Sequence, residues 1–154
     1  MKESWESLVD LSIVHFMIYP ETLTGSGPIV ETVSRIANDD FFSMIEVGHM
    51  NDPEARKQVA DIILSSHTRV AFGAQPTILS RKLDPNSLDE TKRKEALSAL
   101  MPQIDEAKEV GAKRFTILSG PDPGDEKREA ERDLLVQSLF ELCAYAKDRG
   151  VSIT

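Results

Sequence analysis

The chain has 154 residues, of which 40% are hydrophobic and 29% are charged, a balance typical of a folded globular protein rather than a disordered segment. Its formal net charge of −8 disfavours nucleic acid as a partner, because a surface of that sign repels phosphate backbones. The single cysteine, Cys143, excludes an intrachain disulfide and a cysteine-rich zinc site. No apolar run approaches the roughly 18 residues that span a bilayer, and residues 1–6 lack the features of a signal peptide. We therefore expect a cytoplasmic protein with no membrane partner.

Five short apolar runs predict β-strands along the chain. The first, LSIVHFMI, is rich in β-branched residues and is typical of a buried strand. The five predicted strands cover residues 11–18, 42–47, 68–73, 114–119 and 151–154.

Helical periodicity fills the intervals between these strands. The first helix is predicted to begin at Ser26 as N-cap, with Pro28 in its first turn, where a missing N–H is harmless. The second is predicted to begin at Asp52, whose carboxylate is a good N-cap. A long loop is predicted over residues 75–86.

The pattern Ser87-Leu88-Asp89-Glu90 resembles a capping box and predicts the start of a third helix. Gly111 is expected to end that helix, and Pro102 is expected to kink it, because proline removes one helical hydrogen bond. A fourth helix is predicted over residues 126–149.

The resulting alternation of strand and helix predicts an α/β fold with a parallel sheet and right-handed crossovers. Two architectures fit: the first half of a (β/α)₈ barrel, or a five-stranded doubly wound open sheet. Neither glycine-rich phosphate-binding motif follows the first strand, which favours the barrel. We expect residues 1–154 to form one incomplete barrel domain with strands 1 to 4, helices 1 to 4 and the start of strand 5.

Polar residues near the carboxyl ends of the predicted strands are the candidates for ligand binding, because both architectures place the ligand there. Glu46 is the most informative, since it interrupts an apolar strand and a buried carboxylate needs a cation, a hydroxylated ligand or a hydrogen-bonding neighbour. The predicted substrate-binding residues are His15, Glu46, His49, Gln75 and Ser119. For each, a purely structural role inside the sheet or a loop is the alternative, and no catalytic or metal-binding residue is predicted.

Four segments together carry a resemblance to a known family. They are Ile45-Glu46-Val47, Glu109-Val110-Gly111-Ala112-Lys113, Ser119-Gly120 and Ala146-Lys147-Asp148-Arg149-Gly150-Val151. In order and spacing they resemble the sugar phosphate isomerase/epimerase family, whose members have the xylose-isomerase-like TIM barrel. The resemblance implies that Glu46 matches the family's strand-two glutamate and that Ser119-Gly120 matches the end of its strand four, both lining the substrate mouth.

The resemblance also implies an activity and a cofactor for the full-length protein. The implied enzyme acts on a small-molecule carbohydrate with a divalent metal ion (Mn, Mg, Zn or Co), and a carboxylate removes a proton next to a carbonyl. In the family the metal ligands come mainly from strands five to eight, so none is expected within these residues. A half-barrel has open edges, and we expect self-association or pairing with a missing C-terminal half, and no activity from the fragment alone.

Two other functions stay open at this point. One is a non-catalytic α/β module that binds a ligand or a partner. The other is a relative of metal-dependent apurinic-site endonucleases, which would need a basic face and more histidines than the three in this chain.

Overall fold

A single parallel sheet organises the molecule, seen in a computed structural model that describes residues 9–154. The five strands pair in chain order, β1-β2-β3-β4-β5, and every pair is parallel. The strands are β1 Ser12–Val14, β2 Met44–Val47, β3 Arg69–Gly73, β4 Arg114–Thr116 and β5 Ser152–Ile153.

This strand order decides between the two predicted architectures. A doubly wound sheet reverses its strand order at a switch point, whereas the strands within residues 9–154 follow one another without reversal. With right-handed crossovers, a sequential order places the connecting helices on one face of the sheet, as in a (β/α)₈ barrel. The prediction of a partial TIM barrel is confirmed, and the doubly wound alternative is wrong.

Six α-helices and one 3₁₀ turn (Pro20–Thr22) connect the strands of the described chain. Asp52 is an N-cap, as predicted, although the helix that it begins is the third α-helix of the structure and not the second. The Asp52 Oδ1 accepts a hydrogen bond from the Glu54 backbone N–H at 2.9 Å. The helices are α1 His15–Ile18, α2 Ile29–Ala37, α3 Pro53–Ser65, α4 Gln75–Arg81, α5 Glu90–Glu109 and α6 Arg128–Lys147.

The first βα unit differs from its prediction in two ways. β1 ends at Val14 and the rest of the apolar run forms α1, whose backbone bond runs from the Tyr19 N–H to the His15 carbonyl at 2.9 Å. The mostly apolar run does not reveal this change, because its residues follow neither the two-residue period of a half-buried strand nor the 3.6-residue period of a helix. The N-cap of α2 is Pro28 and not Ser26, the residue predicted from the sequence. The Ser26 hydroxyl oxygen instead accepts a hydrogen bond from the Asn51 side-chain amide at 3.0 Å.

The segment predicted as a long loop after β3 contains α4. Pro76 lies in the first turn of this helix, Ile78 is buried, and Lys82 ends it in the left-handed conformation with φ of 52°. Helix α5 begins within the predicted capping pattern, but Asp89 is its N-cap and accepts from the Thr91 N–H at 2.9 Å. The helix continues across Pro102, so the predicted kink stays a prediction.

Gly111 ends α5 as predicted. Its φ of +82° is costly for a residue with a side chain, and it lets the Ala112 N–H donate to the Ala107 carbonyl at 2.8 Å.

Side-chain alternation along β2 separates the core from the opposite face of the sheet. Ile45 and Val47 are fully buried in the core, which also contains Phe72 of β3 and Phe115 of β4 with stacked rings 5.5 Å apart. Glu46 lies between Ile45 and Val47 and therefore points to the other face, which is the inner face in a barrel. Across residues 9–154, every helix is too short or too polar to cross a membrane.

Candidate functional site

Four polar side chains form a hydrogen-bonded row at the carboxyl ends of β2, β3, β4 and β5. The Gln75 Nε2 donates to Glu46 Oε1 at 3.1 Å, and the Thr116 hydroxyl donates to Glu46 Oε2 at 3.5 Å. The Thr116 and Thr154 hydroxyl oxygens lie 3.2 Å apart. We call Glu46, Gln75, Thr116 and Thr154 the Glu46 cluster.

Gly73, the last residue of β3, makes room for this cluster. A Cβ at that position would lie 2.7 Å from Glu46 Oε1, 3.1 Å from the Phe16 ring, and closer still to Gln75 Oε1. The two polar side chains therefore occupy the volume that any other residue at position 73 would fill. The glycine is explained by this close approach, since its backbone is not in the left-handed region.

Gln75 is arranged to serve Glu46 rather than to satisfy its own amide. Its Nε2 is committed to the carboxylate, while its Oε1 is buried and has no hydrogen-bond partner among the described residues. Buried polar atoms are paired in most proteins, so an unpaired one indicates that another requirement fixes the side chain. Here that requirement is the bond to Glu46.

The Glu46 cluster can recognise a hydroxylated molecule. An ionised carboxylate accepts hydrogen bonds from hydroxyl groups, and threonine hydroxyls both donate and accept. Glu46, Gln75 and Thr116 are half-buried rather than buried, so a ligand can reach them from the open end of the strands.

His49 lies outside this cluster. Its Nδ1 is 2.9 Å from both carboxylate oxygens of Glu106 on α5, and its Nε2 is 3.0 Å from Asn51 Oδ1. The Asn51 amide nitrogen donates to the Thr24 carbonyl at 2.9 Å and to Ser26, which fixes the amide oxygen toward His49. Both ring nitrogens therefore face acceptors, and the Glu106 carboxylate, chiefly through its hydrogen bond, raises the pKa of His49 above its usual 6.5.

His15 is buried against α2 rather than in the Glu46 cluster. Its Nε2 lies 2.7 Å from the Thr32 hydroxyl oxygen, and that hydroxyl donates to the Pro28 carbonyl at 2.8 Å. The Nε2 of His15 must therefore be the donor, because the Thr32 hydroxyl has only one hydrogen. Burial lowers the pKa of His15 to about 4, so the ring is neutral at pH 7.

Ser119 lies in the loop after β4, and its backbone carbonyl, not its hydroxyl, contacts Asn86. Its carbonyl accepts from the Asn86 side-chain amide at 3.0 Å, and the same amide nitrogen donates to Asp84. Gly120 follows with φ of +102°, and a Cβ there would overlap Asn86.

Thr116 and Thr154 are the cluster members that sequence reasoning missed. The predicted fourth strand ran to Ser119, whereas β4 ends at Thr116, which pairs with Gly73 of β3. The polar residue at the true strand end was therefore counted as part of the strand interior. The structure brings Glu46 and Gln75 together and places His15, His49 and Ser119 among other partners.

The metal ion implied by the resemblance finds no ligand set in this part of the barrel. Among residues 9–154, no group of three or more His, Cys, Asp or Glu side chains is placed to hold a metal ion.

Solved structures share this fold at low sequence identity. They include a D-tagatose 3-epimerase-like protein (TM-score 0.71, 18% identity), an L-ribulose 3-epimerase (0.68, 18%) and a D-allulose 3-epimerase from Methylomonas sp. in complex with D-allulose (0.65, 18%). Each match covers 94% of this chain and 51%, 48% and 50% of the respective structure. The chain thus spans about half the length of these proteins. No curated protein matches it.

A family model described as "Xylose isomerase-like TIM barrel" matches residues 53–154, which is more than half of the chain. The match covers β3, β4 and β5 with their helices and agrees with the parallel, sequential strand order. The resemblance inferred from the four sequence segments is confirmed. This chain belongs to the xylose isomerase-like TIM barrel family.

Proposed function

We propose that the chain is the first half of a (β/α)₈ sugar or sugar-phosphate isomerase or epimerase that transfers a proton next to a carbonyl. The observation that carries the proposal is the Glu46 cluster, a carboxylate and two hydroxyls at the carboxyl ends of the strands. In this fold that end of the barrel holds the active site. Two proteins with the same fold are sugar 3-epimerases and a third is a D-tagatose 3-epimerase-like protein, which supports the same substrate class.

In this proposal the first half of the barrel binds and orients the sugar. Glu46 accepts a hydrogen bond from a substrate hydroxyl, and Gln75 holds the carboxylate in place through its Nε2. The Thr116 hydroxyl donates to Glu46, and its oxygen lies 3.2 Å from the hydroxyl oxygen of Thr154, so both threonines extend the row of polar groups beside the carboxylate. Gly73 keeps the space in which Glu46 and Gln75 meet.

The chemistry that a divalent metal would supply is polarisation of the substrate carbonyl. Following the family resemblance, we propose that the metal-binding residues and the catalytic base lie in the other half of the barrel. The roles of His15, His49 and Ser119 as substrate contacts stay predictions. His15 is hydrogen-bonded to Thr32, and His49 is hydrogen-bonded to Glu106 and Asn51. The Ser119 carbonyl is hydrogen-bonded to Asn86.

The sheet edges support a second part of the proposal, that these residues associate with another half-barrel. Within residues 9–154, β1 pairs only with β2 and β5 only with β4, so two strands present unpaired backbone groups. We expect light scattering of the isolated 154 residues to give a mass above the 17.1 kDa of one chain. A stable monomer would contradict this expectation.

The test of function uses a protein that carries the complete barrel, supplied with a divalent metal and with D-tagatose or D-allulose as candidate substrates. Glu46→Gln is expected to raise KM by about 10-fold, the effect of losing one charge-assisted hydrogen bond to the sugar. The matched control is Glu31→Gln, since Glu31 is exposed on α2 and pairs only with Arg35 at 3.0 Å. The isolated 154 residues are expected to show no turnover.

Two results would overturn the proposal. One is the absence of ketose isomerisation or epimerisation by the complete protein with every metal tried. The other is a Glu46→Gln variant whose KM and kcat match those of the Glu31→Gln control.

A further inference from the structure

The outer surface of α6 carries two apolar side chains between two opposite charges. Phe140 is 73% exposed and Val136 is 44% exposed, and Glu129 and Lys147 are exposed toward the two ends of the helix. Along the chain the four residues are spaced seven, four and seven positions apart, close to whole turns of an α-helix, so they lie on one face. We call Glu129, Val136, Phe140 and Lys147 the α6 stripe.

Completing the barrel would not cover the α6 stripe. Phe140 lies two residues from the fully buried Leu142, which places the two side chains on nearly opposite sides of the helix. Leu142 and Ala146 belong to the hydrophobic core, so their side of α6 faces the sheet. In a (β/α)₈ barrel the helices form the outer ring, and each has its inner side on the strands and its flanks against neighbouring helices. The α6 stripe therefore lies on the outer side, which another molecule can reach.

The order of residues in the α6 stripe is self-complementary. Val136 and Phe140 lie two positions on either side of Ser138, and Glu129 and Lys147 lie nine positions on either side of it. When a second α6 lies antiparallel to the first, with a two-fold axis at the level of Ser138, Val136 of each copy meets Phe140 of the other. In the same register, Glu129 of each copy meets Lys147 of the other. This reciprocity is what a two-fold interface between identical chains requires.

Both charges of the α6 stripe are available for such a contact. Among residues 9–154, neither Glu129 nor Lys147 forms an ion pair, whereas Arg132 on the same helix pairs with Asp133 at 3.4 Å. The net charge of −8 makes most approaches between two copies repulsive. Two reciprocal pairs of opposite charge would therefore favour this face and this register over others.

We propose that the α6 stripe is a docking surface for a second copy of this chain, with the two α6 helices antiparallel across a two-fold axis. The Phe140 and Val136 side chains form the centre of the interface, and the two pairs of Glu129 and Lys147 form its ends, about 27 Å apart along each helix. One helix face per copy is a small interface, so we expect a dissociation constant of about 10–100 μM.

The first experiment is sedimentation-velocity ultracentrifugation of the 154-residue chain at increasing concentration. Phe140→Asp is expected to weaken the association about 100-fold, about tenfold for each of the two Phe140 side chains that the dimer buries. The matched control is Phe41→Asp, at a position 63% exposed in the segment before β2. Association through the sheet edges would persist in both variants, so the difference between them isolates the contribution of α6.

A charge exchange tests the pairing of Glu129 with Lys147. Glu129→Lys and Lys147→Glu should each weaken the dimer about fivefold, because each places like charges opposite one another at both ends of the interface. The double variant, which carries both changes, should regain the wild-type dissociation constant. Neither side chain is buried, so all three variants should fold like the wild-type chain.

A disulfide assay tests the antiparallel register and works in any state of association. Val136→Cys and Phe140→Cys are made in separate chains, both with Cys143→Ser, which removes the only native cysteine. In the proposed register these two positions face each other, whereas each lies about 6 Å along the helix from its own counterpart, too far for an unstrained disulfide. Oxidation of an equal mixture should therefore give mainly the mixed disulfide.

Three results would overturn the proposal. The first is a Phe140→Asp chain that associates as strongly as the Phe41→Asp control. The second is a double charge variant that associates no better than the two single variants. The third is a mixed disulfide that makes up only the half of cross-linked chains that random collision gives. None of these measurements involves the Glu46 cluster, so their outcome is independent of the proposed enzymatic activity.

Discussion

The ion pair between His49 and Glu106 should stabilise the fold in a pH-dependent way. Glu106 is buried on α5 and accepts hydrogen bonds from His49 Nδ1 at 2.9 Å and from the Met50 backbone N–H at 3.2 Å. Because His49 follows β2, the pair ties the loop between β2 and α3 to a helix 57 residues further along the chain. Replacing either residue removes this tertiary contact, and His49→Ala also leaves a buried carboxylate with one backbone donor.

The magnitude follows from the partial burial of the pair. Exposed ion pairs contribute about 0.2–1 kcal/mol, and hydrogen bonds to charged groups contribute about 1.5–3 kcal/mol. His49 retains one-third of its side-chain exposure, so we expect a coupling free energy of about 1.5–2 kcal/mol between the two residues. The matched control is Glu90 and Lys94, an i,i+4 pair at 2.7 Å with side chains 67% and 72% exposed, for which about 0.3–0.5 kcal/mol is expected.

The sign of the pH effect follows from the raised pKa of His49. The folded state holds the proton more tightly than the unfolded state, so the stabilisation is fully present below the unfolded pKa of about 6.5. It is lost as the pH rises through the folded pKa. Arg56, the other charged group that acts on His49, opposes this shift.

The assay is a double-mutant cycle with His49→Ala and Glu106→Ala, followed by urea unfolding monitored by far-ultraviolet circular dichroism. The measurements are made at about pH 6, below the unfolded pKa of the histidine, and at about pH 9, well above it. Protein concentration is held constant, because association would change the apparent stability. The reasoning is refuted if the coupling equals that of Glu90 and Lys94, or if it is the same at both pH values.

Three further predictions follow from single contacts. His15 should stay neutral well below pH 6, with an NMR titration midpoint near 4, because it is buried against Thr32. Between pH 6.5 and 4 this histidine is protonated only in the unfolded chain, which should remove about 3 kcal/mol of folding stability. A midpoint above 6 would contradict this account. Gly73→Ala should displace the side-chain amide resonances of Gln75, since the added Cβ meets flexible side-chain ends, while costing only about 1 kcal/mol in urea unfolding; unchanged resonances would show that the cluster does not need the glycine. Asp52→Ala should cost about 1 kcal/mol and lower Tm by about 2–4 °C through loss of the α3 cap, whereas Asp61→Ala, at an exposed position inside the same helix, should leave Tm nearly unchanged.

The order of strands and helices could be predicted because it depends on local patterns. Asp52 begins α3 and Gly111 ends α5, each through hydrogen bonds between residues at most five positions apart in the chain. Both predictions are confirmed. The strand predicted over residues 11–18 was too long, because β1 ends where its pairing with β2 ends, at the partners Val14 and Glu46. No turn residue or change of periodicity in the sequence marks the end of the strand, since the residues on both sides of it are mostly apolar.

The candidate site could be predicted only where a polar residue interrupted an otherwise apolar strand. Glu46 was found because a carboxylate in an apolar strand needs a partner, and the structure supplies Gln75 and Thr116. The partners of the two histidines, Thr32 for His15 and Glu106 for His49, lie 17 and 57 residues away. Such pairings follow from the three-dimensional packing of α2 and α5 and have no sequence signature.

Helix α4, which lies where the sequence predicted a loop, links the Glu46 cluster to α5. It begins two residues after the end of β3, so Gln75 at its start reaches Glu46, and two residues later Thr77 contacts Gln103 on α5. The two buried side-chain atoms without partners in the described chain, Gln75 Oε1 and Gln103 Oε1, belong to the residues that α4 positions or contacts. In both residues the amide nitrogen is committed to a partner, Glu46 for Gln75 and Thr77 for Gln103, and this bond fixes the orientation that leaves the oxygen unpaired. Replacing Gln75 would therefore disturb the Glu46 carboxylate directly, whereas replacing Thr77 would act only on Gln103 of α5.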